Sequence, residues 1–98
     1  MTAHVYILFS PSLDGFYTGF TKISVQERLN RHNGKYYDNK YTAKASDWEI
    51  YLAIECNTEE QGRSIEAHIK KMKSKTYILN LKRYPNIVQE LLKRYEIK

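Results

Sequence analysis

Ninety-eight residues set the size of one domain, 1–98, with a modest core, and 42% apolar content with mixed charges excludes a disordered chain. The longest apolar runs, Val5–Phe9 and Ile50–Ile54, hold five residues each, which excludes a membrane-spanning helix and a signal-peptide core. A single cysteine, Cys56, excludes an internal disulfide and a cysteine-based zinc site, and points to a reducing, cytoplasmic setting.

The chain opens with Ala3–Phe9 (AHVYILF), β-branched and aromatic, ending at Ser10-Pro11-Ser12, which predicts a strand. Alternation puts His4, Tyr6 and Leu8 on one face and Val5, Ile7 and Phe9 on the other. Asp14-Gly15 supplies hairpin chemistry, so Phe16–Phe20 returns as an antiparallel strand. A helix then opens at Ser24, where Ser24 and Glu27 form a capping box, and closes at Gly34, a position that favours a left-handed backbone. Val25 and Leu29 mark its apolar stripe. Arg28 and His32 flank that stripe and point into what the helix covers, while Gln26, Asn30 and Arg31 point away.

Residues 34–47 are polar and rich in Tyr and Lys, and predict a surface loop with a short helical turn. Trp48–Glu55 is a third strand with Ile50, Leu52 and Ile54 on one face. A second helix begins at Asn57-Thr58 with a Thr58–Gln61 capping box, buries Ile65, Ile69 and Met72, and ends near Lys73. Gly62 permits a close approach on the buried side. Ser74–Arg83 reads as either a short helix or an extended connection. Pro85 starts a last helix at its first position, with Ile87, Val88, Leu91, Leu92 and Tyr95 as its apolar face. The sum is an α+β architecture, a small and mainly antiparallel sheet with helices packed on it.

The formal charge of +5 is uneven. Residues 1–55 hold six Lys+Arg against six Asp+Glu, whereas residues 56–98 hold ten against five. Nine tyrosines accompany this surplus, and basic surface with interleaved aromatics suits nucleic acid. A solvated lysine-rich face over core tyrosines accounts for the same composition. Lys70, Lys71, Lys73 and Lys75 are the candidate phosphate contacts. No nucleophilic triad order, Walker loop or dinucleotide fingerprint is present, and His4, His32 and His68 are scattered. What remains is a sparse set: Tyr6, Tyr17, Arg28, His32, Glu66 and Asn80.

His4-Val5-Tyr6, then Tyr17-Thr18-Gly19 after ten residues, then Arg28-x-x-x-His32 and a helical Glu66, resembles the GIY-YIG nuclease domain. The likeness is closest to small single-domain members related to the N-terminal nuclease module of the bacterial excision-repair subunit UvrC. It runs from about residue 3 to 84. It implies a three-stranded antiparallel sheet with surrounding helices, and metal-dependent hydrolysis of phosphodiester bonds, in DNA rather than RNA, with a link to repair. Carried over by position, Tyr6 and Tyr17 are the two motif tyrosines, and Gly19 closes the second motif. Arg28 binds the scissile phosphate, His32 assists proton transfer or orients the water, and Glu66 holds one divalent metal, Mg²⁺ or Mn²⁺. Asn80 lies near a supporting asparagine. His4 replaces the first glycine, Thr18 replaces an isoleucine, and Phe20 stands where some members carry a lysine, for which Lys22 is the nearest substitute.

The chemistry independently makes sense of the set. Phosphodiester cleavage needs an activated water, a neutraliser for phosphate charge and help for the leaving oxygen. Mg²⁺ keeps most of its waters and sits on one carboxylate plus substrate phosphate, so one glutamate suffices. Arg28 offers bidentate phosphate contacts. Tyr6 or Tyr17 serves as base or as water-positioner, and the sequence leaves that choice open. Ordinary roles exist for each residue alone: strand aromatics, an arginine stem over apolar surface, a local histidine bond, and a Glu66–Lys70 pair. Two rivals to the nuclease follow from the same sequence. One is a nucleic-acid-binding module without cleavage; the other is a protein-interaction subunit using the amphipathic helix at 85–96.

Overall fold

The computed structural model describes residues 3–37 and 39–96. Ala3–Ser10 (β1) and Gly15–Thr21 (β2) form a hairpin whose turn places Asp14 at φ 49°, a left-handed conformation that Asp tolerates. Glu49–Cys56 (β3) pairs with the other side of β1, giving an antiparallel sheet of order β2-β1-β3 with β2 at an edge. Four helices complete the architecture: α1 (Val25–Asn33), α2 (Glu59–Met72), α3 (Lys75–Arg83) and α4 (Pro85–Arg94). A 3-10 turn at Thr42–Lys44 lies within the loop after α1. No helix of the described residues is long and apolar enough to cross a membrane.

The alternation along β1 splits the core in two. Tyr6 and Leu8 pack with Ala45, Trp48, Val25 and Leu29 on the α1 face. Ala3, Val5 and Ile7 pack on the opposite face with Ile65 and Ile69 of α2, Leu81 of α3 and Leu91 of α4. Gly62 lets α2 settle against the sheet, since a Cβ there would run into the Phe20 ring. The apolar face of α4 is consumed in this second core: Leu91 is buried, and Ile87, Val88, Leu92 and Tyr95 pack around it. It therefore offers no free stripe for a partner helix, which removes the main support for an interaction subunit built on residues 85–96.

Local signals account for most boundaries. Ser24, Thr58 and Ser74 each accept a hydrogen bond from the backbone N–H three residues on, at 3.0, 3.0 and 3.1 Å. The last of these caps α3 and resolves the ambiguous stretch 74–83 as helix. Gln61 fastens the start of α2 twice, accepting from Asn57 N–H at 2.7 Å and donating to the Leu92 carbonyl at 2.7 Å.

Three expectations are corrected. The left-handed residue after α1 is Lys35 (φ 57°), not Gly34 (φ −81°). Lys35 N–H bonds to the His32 carbonyl and Tyr36 N–H to the Arg31 carbonyl, the two bonds of a Schellman motif. The single inward face of Ile50, Leu52 and Ile54 is broken by a bulge, because Ile7 pairs with Leu52 and Leu8 with Ile50. Tyr51 and Leu52 then both pack toward the α2 side, and Ile50 is left exposed. Met72 is 44% exposed, since it sits in the final turn of α2 beside Arg94 and Tyr95 rather than over the sheet.

Candidate active site

The centre of the α1 face is polar where the core around it is apolar. Tyr6 projects from the central strand and is fully buried; across the ladder it faces Gly19. A Cβ on Gly19 would lie 2.5 Å from both Cζ and Oη of Tyr6, so only glycine leaves room for the ring. Helix α1 is held over this ring at its far end. The Asn33 amide accepts from Trp48 N–H at 2.8 Å and donates to the Trp48 carbonyl at 3.0 Å, tying the helix to the start of β3. This clamp sets the two residues that flank the apolar stripe. His32 is 2% exposed, and its Nε2 lies 3.0 Å from the Tyr6 hydroxyl.

The remaining rings close around that bond. The Tyr17 ring centroid lies 4.9 Å from that of His32 and 6.3 Å from that of Tyr6. The Arg28 guanidinium sits 5.8 Å from the Tyr6 centroid and 4.6 Å from that of Tyr37, whose ring is 4.7 Å from His32. Four residues singled out by sequence are thus brought together: Tyr6, Tyr17, Arg28 and His32. Tyr37, from the polar loop after α1, is a fifth; its one signal in the sequence is its place, a few residues beyond a helix carrying Arg28 and His32. Among the described residues, three buried polar atoms here, Arg28 Nε, His32 Nδ1 and Tyr37 Oη, find no hydrogen-bond partner. Such a cluster is costly unless the site meets polar groups from outside.

Burial also sets the protonation states. It pushes the Tyr6 phenol up to about 12, against the opposing pull of the Arg28 guanidinium. It pushes His32 down to about 4, and the charge of Arg28 acts in the same direction. At neutral pH the pair is therefore a neutral imidazole bonded to an intact phenol beside one fixed positive charge.

Glu66 belongs to α2, which packs on the other face of the sheet; its carboxylate pairs with Lys70 at 3.0 Å, and it joins none of the ring contacts above. The two faces meet around the edge of β2, in a groove of about 250 Å³ lined by Phe20, Thr21, Lys22, Arg28, Arg31 and Arg63 among others. Arg63 was not singled out by sequence, although it lies three residues before Glu66 on one side of α2. Its guanidinium packs 4.7 Å from the Phe20 centroid and pairs with Glu59 at 3.1 Å. Lys22 also reaches Glu59, at 3.5 Å, on this edge. Asn80 lies in α3, where its carbonyl accepts Tyr84 N–H at 2.8 Å, and it joins none of the ring contacts.

The four candidate lysines separate. Lys70, Lys73 and Lys75 border one hollow beside Gly15 and Phe16 at the hairpin, and Lys75 pairs there with Asp14 at 2.9 Å. Lys71 faces the α2–α4 side with His68 and Arg94. Among the described residues no three His, Cys, Asp or Glu side chains group as a metal cage. A hard divalent ion that retains its waters needs only one carboxylate, and Glu66, paired with the half-exposed Lys70 ammonium, is the candidate.

The profile of the GIY-YIG catalytic domain matches residues 2–80. Neither the curated proteins nor the solved structures yield a match.

Proposed function

The chain belongs to the GIY-YIG catalytic-domain family, and from that premise we propose that it is a metal-dependent endonuclease hydrolysing phosphodiester bonds in DNA. The observation that carries the reading is the buried Tyr6–His32 hydrogen bond at 3.0 Å with Arg28 beside it. Nuclease chemistry in general comes with the family; the metal, the DNA preference and the residue roles are this proposal's own.

In this reading Arg28 receives the scissile phosphate, and its guanidinium neutralises charge that grows as water attacks. The Tyr6 hydroxyl donates to Nε2 of His32, leaving its oxygen lone pairs to accept from the attacking water. As that water loses a proton to Tyr6, the Tyr6 proton passes to the neutral His32 imidazole, so no phenolate need form at rest. Tyr17 walls the pair and restricts where the water can stand. Glu66 would hold Mg²⁺ or Mn²⁺, which supplies further charge neutralisation at phosphate and leaving oxygen. The substrate strand would cross the edge of β2 through the groove lined by Arg28 and Arg63. A role in repair remains a proposal of the same kind.

The Glu66–Lys70 ion pair, an ordinary helix-surface role for that carboxylate, favours one alternative, a nucleic-acid-binding module without cleavage. Incubation with supercoiled plasmid and branched DNA in Mg²⁺, Mn²⁺ or EDTA separates the two. The nuclease nicks DNA in the metals and not in EDTA. The binding module shows salt-dependent binding and no nicking under any of the three.

A further inference from the structure

We infer that Tyr36 is a stacking platform for an unpaired nucleobase next to the scissile phosphate, which makes single-stranded DNA the preferred substrate of this site. The inference rests on the reading above for where the phosphate lies. Tyr36 is 69% exposed, the most exposed large apolar side chain among the described residues. Its backbone is nonetheless anchored, and its ring has two neighbours. Its N–H makes the 2.8 Å Schellman bond to Arg31, and the Arg31 guanidinium lies 4.9 Å from its ring centroid. The Tyr37 ring abuts it edge-on, at 5.2 Å and 87°.

Two successive ring contacts therefore separate Tyr36 from His32, at 5.2 and 4.7 Å, with Arg28 packed on the intervening Tyr37. An aromatic face held at that remove from a phosphate-binding arginine suits the base of a neighbouring nucleotide. Bases in a duplex have both faces covered by their neighbours, so only an unpaired base can use the ring. Arg31 adds a cation beside the same ring, which suits a base joined to its phosphate.

Binding in EDTA isolates this step from cleavage. A single-stranded oligonucleotide and its duplex would be titrated against the wild-type protein and its Tyr36→Ala, Tyr36→Phe and Tyr84→Ala variants. Tyr36→Ala should weaken single-strand binding about tenfold and duplex binding less. The slope of affinity against salt should not change, since stacking releases no counterions. Tyr36→Phe should restore binding, and the same truncation at exposed Tyr84, at the α3–α4 junction, should leave it intact. A 2-aminopurine in the oligonucleotide should lose fluorescence on binding wild type and regain it with Tyr36→Ala. Equal losses on single strand and duplex, no loss on either, or no DNA binding by the wild type would each overturn the inference. Metal-dependent nicking that is indifferent to Tyr36 would overturn it while leaving the nuclease standing. Tyr36-dependent binding without nicking would do the reverse.

Discussion

The hydroxyl of Tyr6 and Nε2 of His32 lie 3.0 Å apart in a pocket where both side chains are almost fully buried. Their titrations move in opposite directions, to about 12 and about 4, so neither changes charge across the neutral range. Stability follows with a definite sign. Below pH 6.5 the unfolded chain protonates His32 while the folded protein does not until about pH 4, so stability falls as pH drops through that window. Above pH 10 the unfolded chain loses the Tyr6 proton while the folded protein keeps it until about 12, so stability falls again. Urea unfolding of wild type and His32→Gln from pH 4 to 7 checks the acid limb. The wild type should lose more stability than the variant on acidification, and parallel curves would count against a buried neutral His32.

Arg28 is predicted to act on chemistry and on its neighbour separately. Arg28→Ala should cut cleavage by about two orders of magnitude. Because the guanidinium helps to depress His32, the same change should raise the His32 pKa, read by NMR titration without any activity assay. A wild-type rate would remove Arg28 from the site; an unmoved imidazole would mean that burial alone governs His32.

Gly19 is the tightest steric test of the site. A methyl group there meets the Tyr6 ring at 2.5 Å, and that ring is fully buried between the sheet and α1. Gly19→Ala should cost about 1–3 kcal/mol of stability and displace Tyr6 from His32. Denaturant unfolding gives the first quantity, and a lost Tyr6–His32 hydrogen bond in a crystal structure gives the second. Full stability would show that the ring is free to move.

Glu66→Gln distinguishes a metal ligand from a helix-surface ion pair. The pair with Lys70 spans an i, i+4 step with Lys70 half exposed, and contributes no more than about 0.5 kcal/mol. The melting temperature should therefore stay within a few degrees of wild type. Cleavage in Mg²⁺ should fall by about two orders of magnitude or more, while binding in EDTA persists. Nicking at the wild-type rate would end the metal assignment.

Local chemistry was enough to fix the elements themselves. Serine and threonine caps at Ser24 and Thr58, the Asp14-Gly15 turn, Pro85 and the alternation of β1 each act within a few residues, so they are legible in a linear sequence. Tyr6, Tyr17, Arg28 and His32, which the family resemblance joins, lie together in space because a hairpin followed directly by a helix leaves little freedom in where they meet. Other features depend on contacts between distant residues. The bulge that exposes Ile50 arises from the β1–β3 register, and the exposure of Met72 from its place at the end of α2. The inclusion of Tyr37 and Arg63 depends on how a loop and a second helix close around the edge of β2. Even the charge of His32 was decided by packing: an imidazole that titrates near 6.5 in water is held neutral down to about 4 because folding removes its water and sets Arg28 beside it.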